Sequence, residues 1–241
     1  MKNDVKGIIL AAGRGSRMGS LTDELPKCMV NFQGKPLIEK QIASLKGAGI
    51  QDVGIVAGYQ SQAISHYSPH IFINDKWKTT NMLYSLLLTR EWLENYTCII
   101  SYSDIFYESD IVKALISNDD KAAISYDPNW LKLWSIRFAD PLTDAESFKL
   151  KEDGFLKEIG TKANGIEEIE GQYMGLLKFT PHFWSELLND ALSLPQNISM
   201  TEFINFCLKK PTQFKAVKNT ALWGEIDSPS DLELYKRMGY V

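Results

Sequence analysis

The sequence has little of what builds a disulfide scaffold, a zinc site or a membrane protein. Its three cysteines, Cys28, Cys98 and Cys207, are odd in number, far apart and without CxxC spacing. They suggest no disulfide framework and no zinc knuckle, and they fit a reducing cytoplasm. The three histidines, His66, His70 and His182, show neither HxH nor HExxH spacing, so zinc chemistry and a histidine-based nucleophile lack support. There is no GxSxG elbow, no internal repeat, no low-complexity stretch and no linker rich in Pro, Gly or Ser. The one apolar run near the N-terminus, 5–12, falls far short of the ~20 residues of a membrane span and carries no cleavage pattern. A net charge of −4 and a pI near 5.5 argue against a nucleic-acid binder that relies on neutralising phosphates. A local basic pocket remains compatible with that balance.

What is present is ordinary for a globular chain: 241 residues, 44% hydrophobic and 23% charged, enough for a real core and for one large domain or two small ones. The first half alternates regularly. Strands are expected at 5–12, 51–59, 70–74, 96–104 and 121–127. Helices are expected at 35–49, shortly after Gln60, at 80–94 and at 109–117. Pro36 near the start and Gly49 at the end punctuate the first helix. This alternation implies a mostly parallel sheet with helices on both faces, a Rossmann-like α/β fold. After about residue 127 the pattern changes. A hairpin is expected over 147–160 with Asp153-Gly154 as its turn, then a strand at 172–180, helices from 180 to 208, a short strand at 214–219, the extended segment 222–227, and a closing helix over 228–240 capped by Ser228. The second half reads as a lobe on the same sheet: one domain over 1–241, with 1–127 as its first half and 128–241 as its second.

The densest signal is "GIILAAGRGSRMGSLTDELPK", residues 7–27. The loop follows a strand and so lies at the carboxyl edge, where open α/β sheets bind ligands. Gly13 and Gly15 let backbone N–H groups approach a ligand. Arg14, Arg17 and Lys27 add positive charge, and together they make an anion cradle suited to a polyphosphate. A Walker A loop is absent. A GxGxxG loop fails because Met18, then Gly19, follow "GRGSR".

"LAAGRGSRMGSLTDELPKCMV" resembles the signature LAAGxGxRMxxxTxxxPKxM of nucleotidyltransferases that join a nucleoside monophosphate to a phosphorylated small molecule. The resemblance implies a GT-A-like nucleotidyltransferase fold. It also implies that the loop backbone and Arg17 hold the triphosphate, while Lys27 stabilises charge developing at the α-phosphorus. A triphosphate reaction calls for a divalent cation. Asp104 ends the "ISYSD" strand and Asp227 ends "LWGEID", both closing apolar runs expected to enter the same sheet. A strand-end aspartate is also common as a helix N-cap, but both resemble the family's metal-binding aspartates, and hard oxygen ligands suit Mg²⁺. Glu225 alternates to the same side as Asp227 and ranks behind the aspartates.

The absence of a repeat C-terminal extension and the "EIDS" before the last helix resemble the phosphocholine cytidylyltransferase branch of the family, with CTP as the nucleotide. "NDKWKTTNMLYSL" resembles that branch's segment beside the nucleotide and implies Asn81, Met82 and Ser85. The strand ends supply the rest of the nucleotide set: Leu10, Ala11 and Ala12 with the loop, Gly58 and Tyr59, and Ser103. The catalytic expectation is Lys27, Asp104 and Arg17. "NWLKLWSIRFADPLTDAESFKL" and "KANGIEEIEGQYMGLLKF" resemble members that act on L-glutamine phosphate in capsular phosphoramidate modification. That small zwitterionic acceptor needs cations for its phosphate and carboxylate and anions for its ammonium. Lys132, Trp134, Arg137, Lys162, Glu170 and Tyr173 are the candidates, although "EEIE" also fits a solvated edge and the tryptophans also fit a core. Phosphocholine and 2-aminoethylphosphonate are the alternative acceptors, with sugar 1-phosphates behind them. A nucleotide-binding regulator without turnover is the rival from another class.

Overall fold

The first apolar run becomes β1 (Val5–Ala11), with Ile8 and Ile9 fully buried. A strand this continuously apolar has no face to offer solvent, which suits a parallel sheet covered on both sides. The structure, a computed structural model, describes residues 4–239. A short hairpin follows, β2 (Asn31–Phe32) against β3 (Lys35–Pro36). Its turn residues, Gln33 and Gly34, both have positive φ, 57° and 76°, as two-residue hairpins of the primed type require. Lys35 and Pro36 are therefore strand, and α1 (Leu37–Gly47) begins after them rather than at residue 35.

Next come β4 (Val53–Ala57), two 3₁₀ turns where a short helix was expected, and β5 (His70–Ile73). The helix expected over 80–94 is two, α2 (Met82–Leu87) and α3 (Arg90–Asn95). At the break Thr89 Oγ1 donates to the Leu86 carbonyl at 2.7 Å, a local bond that competes with helix continuation. Then follow β6 (Thr97–Tyr102), β7 (Ile105–Tyr107), α4 (Ser109–Ser117), β8 (Ala122–Asp127) and α5 (Trp130–Arg137). The expected hairpin is β9 (Glu146–Leu150) with β10 (Leu156–Lys162), turning at Gly154 with φ 76°. The chain continues through β11 (Gln172–Phe179), α6 (Pro181–Ser193), α7 (Met200–Leu208), β12 (Lys215–Lys218), β13 (Trp223–Glu225) and α8 (Pro229–Arg237). The closing helix was expected to reach residue 240, which lies outside the described residues, as do residues 1–3 and 241 of the expected domain.

The main sheet has seven strands in the order β12-β8-β11-β6-β1-β4-β5. All neighbours are parallel except β11, which runs antiparallel between β6 and β8. The second half of the chain thus supplies two strands of the sheet. One group of helices, α1 with α4, and another, α2 and α3 with α6 and α7, flank it. One expectation fails: the Asp227 segment does not enter this sheet. Its strand β13 pairs with β7 in a separate two-stranded sheet, Glu225 opposite Ile105. Asp104 sits at the corner between β6 and β7, so this pairing delivers Asp227 to it all the same. A second small core of Met18, Val30, Phe32, Leu37, Phe106, Ile226 and Tyr235 ties the loop, the hairpin and α8 together behind the corner.

Candidate active site

The loop after β1 is folded by its own side chains. Gly15 is left-handed, φ 76°, and a Cβ there would lie 2.5 Å from Lys27 Cβ and 2.7 Å from its Cδ. Glycine is thus what allows the Lys27 stem to run along the loop. Fully buried Thr22 donates through Oγ1 to the Gly15 carbonyl at 3.1 Å and the Gly19 carbonyl at 3.3 Å.

Lys27 reaches a cluster of carboxylates. Its Nζ donates to Asp104 Oδ2 at 2.9 Å and to Asp227 Oδ1. Arg17 donates to Asp227 Oδ1 from the other side at 3.0 Å. One oxygen each from Asp104, Glu225 and Asp227 lies within 4.8 Å of the others. Burial pulls the Lys27 ammonium down, but Asp104 and Asp227 outweigh it and hold the group above its ordinary value. Burial, then Asp227 and Asp104, push Glu225 well above the usual carboxylate range. Asp227 is lowered, because Lys27 and Arg17 overcome the cost of its burial. Like charges this close cannot all ionise cheaply.

The cluster is fixed from behind. The Arg137 side chain is fully buried and donates to Glu225 Oε2 at 3.0 Å and Asp231 Oδ1 at 2.9 Å. Asp231 Oδ2 accepts from the backbone N–H of Asp227 and of Ser228, both at 2.9 Å. The Asp104 corner is held by buried Gln41 of α1, whose Nε2 donates to the carbonyls of Tyr102 at 3.0 Å and Ile105 at 2.6 Å. The Ile226 N–H donates to the Asp104 carbonyl at 2.8 Å, locking the two aspartate-bearing segments together.

Two cavities, each of about 280 Å³, meet at this cluster. The first is lined by the loop, by Lys27 and Asp104, and by Leu10, Ala12, Ser103, Asn81, Met82 and Ser85. Four residues of the expected nucleotide set are not brought to it. Ala11 points into the core. Arg14 is turned away, paired with Asp23 at 2.6 Å and the Thr22 carbonyl at 3.2 Å. At Gly58 a Cβ would meet the Ala12 carbonyl at 2.7 Å, so it serves close packing. Tyr59 braces the loop, donating its N–H to Ala12 O at 2.9 Å and packing edge-on against Trp77.

The second cavity shares Arg17, Met82 and Tyr102 with the first and is also walled by Asp144, Glu146, Gln172, Tyr173, Ser199, Thr201, Trp223, Glu225 and Asp227. Of the six expected acceptor residues only Tyr173 lies there. Trp134 is core, and its indole N–H donates to Asp144 Oδ2 at 3.0 Å. Arg137 is sealed behind the carboxylates. Lys132 lines a different cavity of about 230 Å³ beside Asn219 and Thr220. Lys162 lies opposite Glu146 in the β9–β10 ladder without lining the cavity, and Glu170 is exposed outside it. The "EEIE" segment instead forms a 3₁₀ turn and the approach to β11. Besides Glu225 and Asp227, the carboxylates that reach the cavity are Asp144 and Glu146, which the sequence reading missed because no acidic cluster marks them. Asn74 was missed too. It is buried at the end of β5 and donates to Thr80 Oγ1 and Ser85 Oγ, both at 3.0 Å.

The seven-stranded mixed sheet with a glycine loop at its carboxyl edge is an architecture shared with solved nucleotidyltransferases. The chain belongs to the family described as the MobA-like NTP transferase domain, which matches residues 7–157. It is 40% identical, over 95% of its length and 98% of the relative's, to a Campylobacter jejuni protein named CTP:phosphoglutamine cytidylyltransferase. A Streptococcus pneumoniae choline-phosphate cytidylyltransferase is 37% identical over 46% of this chain and 51% of that protein. The solved structure of the inositol-1-phosphate CTP transferase from T. maritima shares the fold, with a TM-score of 0.77 at 22% identity, covering 97% of this chain and 95% of that one. Among the described residues no helix is long and apolar enough to cross a membrane.

Proposed function

We propose that the chain transfers CMP from CTP to a small phosphorylated zwitterion, L-glutamine phosphate, and releases pyrophosphate, serving phosphoramidate modification of a capsule from the cytoplasm. The observation that carries this reading is the pair of adjoining cavities, with the Lys27–Asp227 ion pair spanning their boundary. The name of the C. jejuni relative, which aligns over nearly the whole of both chains, supports the choice of nucleotide and acceptor.

In this reading the first cavity holds CTP. The loop amides and Arg17 grip the triphosphate, while Asn81, Met82 and Ser85 lie alongside the nucleoside. The acceptor enters the second cavity and presents its phosphate at the boundary. An oxygen of that phosphate attacks the α-phosphorus in line. The new P–O bond forms as the bond to the β-phosphate oxygen breaks, and pyrophosphate leaves with the electron pair. A phosphate oxyanion is already nucleophilic, so positioning and charge stabilisation suffice, without a protein nucleophile. Lys27 turns from the carboxylates toward the α-phosphate as charge develops there.

Asp104, Glu225 and Asp227 fit a divalent cation. Their oxygens converge, and Asp104 Oδ1 is buried without a hydrogen-bond partner. Mg²⁺ bound there would neutralise triphosphate oxygens. The nucleotide half over 1–127 and the acceptor half over 128–241 then meet at the boundary rather than act apart, since Arg17 and Tyr102 line the acceptor cavity and Asp227 pairs with Lys27.

A second reading takes phosphocholine or 2-aminoethylphosphonate as acceptor, and Tyr102, Tyr173 and Trp223 on the second cavity's wall bear on the first of these. A pyrophosphate-release matrix of four NTPs against L-glutamine phosphate, aminoethylphosphonate, phosphocholine and glucose 1-phosphate tests both. CTP with L-glutamine phosphate should be fastest. Equal turnover with glucose 1-phosphate would refute the zwitterionic acceptor.

A further inference from the structure

We infer that the second cavity selects acceptors bearing a primary ammonium over quaternary ones, and that Glu146, seconded by Asp144, makes the selection. This rests on reading that cavity as the acceptor site. Glu146 stands on its wall at the start of β9, open to it, and makes no hydrogen bond or ion pair among the described residues. Partial burial raises it, and Asp144 and Glu202 add to that, while Lys162 stands across from it in the β9–β10 ladder. Asp144 has one oxygen fixed by the Trp134 indole at 3.0 Å. The other is left for a ligand.

Glu146 remains open to solvent, so what a ligand cation would relieve is its repulsion with Asp144. Among the described residues no lysine lines this wall, and the one cation that does, Arg17, is engaged with Asp227. A ligand ammonium is the missing partner. Carboxylates accept hydrogen bonds and donate none, so they reward an ammonium that carries N–H groups. A trimethylammonium has none and is held instead by free aromatic faces. The rings here use theirs on each other. Trp223 stacks on Trp134 with centroids 6.1 Å apart. Tyr102 packs over Gly175, where a Cβ would lie 2.9 Å from the ring, and meets Tyr173 edge to face at 5.7 Å. The wall is built to accept N–H groups more than to cage methyl groups.

Phosphoethanolamine and phosphocholine differ only in three methyl groups, so they isolate this choice. In the pyrophosphate-release assay the wild type should prefer phosphoethanolamine by at least about tenfold in kcat/KM. Glu146→Gln should lower phosphoethanolamine and L-glutamine phosphate by about 10–100-fold, the scale of losing one charge-assisted hydrogen bond. It should lower phosphocholine less than either, and leave the KM for CTP and the melting temperature nearly unchanged. Calorimetric binding of both phosphoamines to the protein loaded with a non-hydrolysable CTP analogue gives a readout independent of turnover. Selective binding of phosphoethanolamine without any transfer would sustain this inference while refuting the proposed activity. Transfer to both phosphoamines at equal rates, unchanged preference in Glu146→Gln, or binding of neither would overturn it.

Discussion

Lys27→Met separates two jobs that the structure gives to one side chain. Without ligands the ammonium is the counter-ion of buried carboxylates. At 2.9 Å from Asp104 Oδ2, the gross attraction at an effective dielectric of 20 is about 6 kcal/mol. Desolvation of the pair offsets part of this. Removing one partner of such a buried pair costs about 3–5 kcal/mol, because the other charge is stranded. For a chain of this length that is a fall of about 6–20 °C in melting temperature. Methionine keeps most of the stem's packing along Gly15, so the fall reports charge rather than a cavity. Melting scans in EDTA should show it in full. Added Mg²⁺ should restore more stability to the variant than to the wild type, because a cation among Asp104, Glu225 and Asp227 no longer competes with the ammonium. Turnover at saturating Mg²⁺ and CTP, measured well below the melting point, should fall by about 10²–10³, the scale of one preorganised charge donor. A variant that melts like the wild type in EDTA would refute the ion-pair account. One with unchanged kcat and only a raised KM for CTP would refute action in the transition state.

Gly15→Ala should act on the same lysine from the backbone side. The left-handed φ costs about 1–2 kcal/mol for a residue with a side chain, the overlap with the Lys27 stem about 1–3 kcal/mol more, and denaturant titration together with kcat should both register it. A variant as stable and active as the wild type would show that the stem has room. Cys28, Cys98 and Cys207 are buried, and burial pushes each thiol up to about 12. At pH 8 about one thiol in 10⁴ is then ionised, so a colourimetric thiol reagent should count none in the native protein and three after unfolding. Rapid native labelling would contradict the packing around them.

The lining of the first cavity was legible because it is local. The strand, the two glycines and the Pro-Lys lie within residues 7–27, and one loop brings them together. Asp104 and Asp227 were legible as strand-end acids, yet their meeting depends on the β7–β13 pairing, which no periodicity announces in three-residue strands. The lining of the second cavity was not legible for a related reason. Trp134 and Arg137 were chosen for residue type, and both do serve the site, but from behind it: one holds Asp144 and the other holds Glu225 and Asp231. A segment rich in Trp, Lys and Arg turns its large side chains inward once it becomes the helix α5, and only the fold decides that direction. "EEIE" drew attention by density of charge. Dense charge is what a solvated edge also shows, whereas Glu146 and Asp144 stand apart in a stretch of mixed composition.

Of the three cations on the carboxylates among the described residues, Arg137 and Lys27 are placed for different lifetimes. Arg137 is fully buried, and the rings of Trp134 and Phe138 lie 4.8 and 5.0 Å from its guanidinium. Its bonds to Glu225 and Asp231 cannot be exchanged for water or ligand without opening that packing. Lys27 lines the first cavity, so its partners can be exchanged for phosphate oxygens from the cavity side. With the rear cation fixed, the charge balance of the site changes only from the cavity side. Arriving anions draw Lys27 away, and an arriving cation replaces it among the carboxylates. A triphosphate and a divalent cation therefore relieve each other's cost of entry. The structure predicts that each tightens binding of the other, and that Lys27→Met weakens this coupling by removing the charge that both exchanges involve.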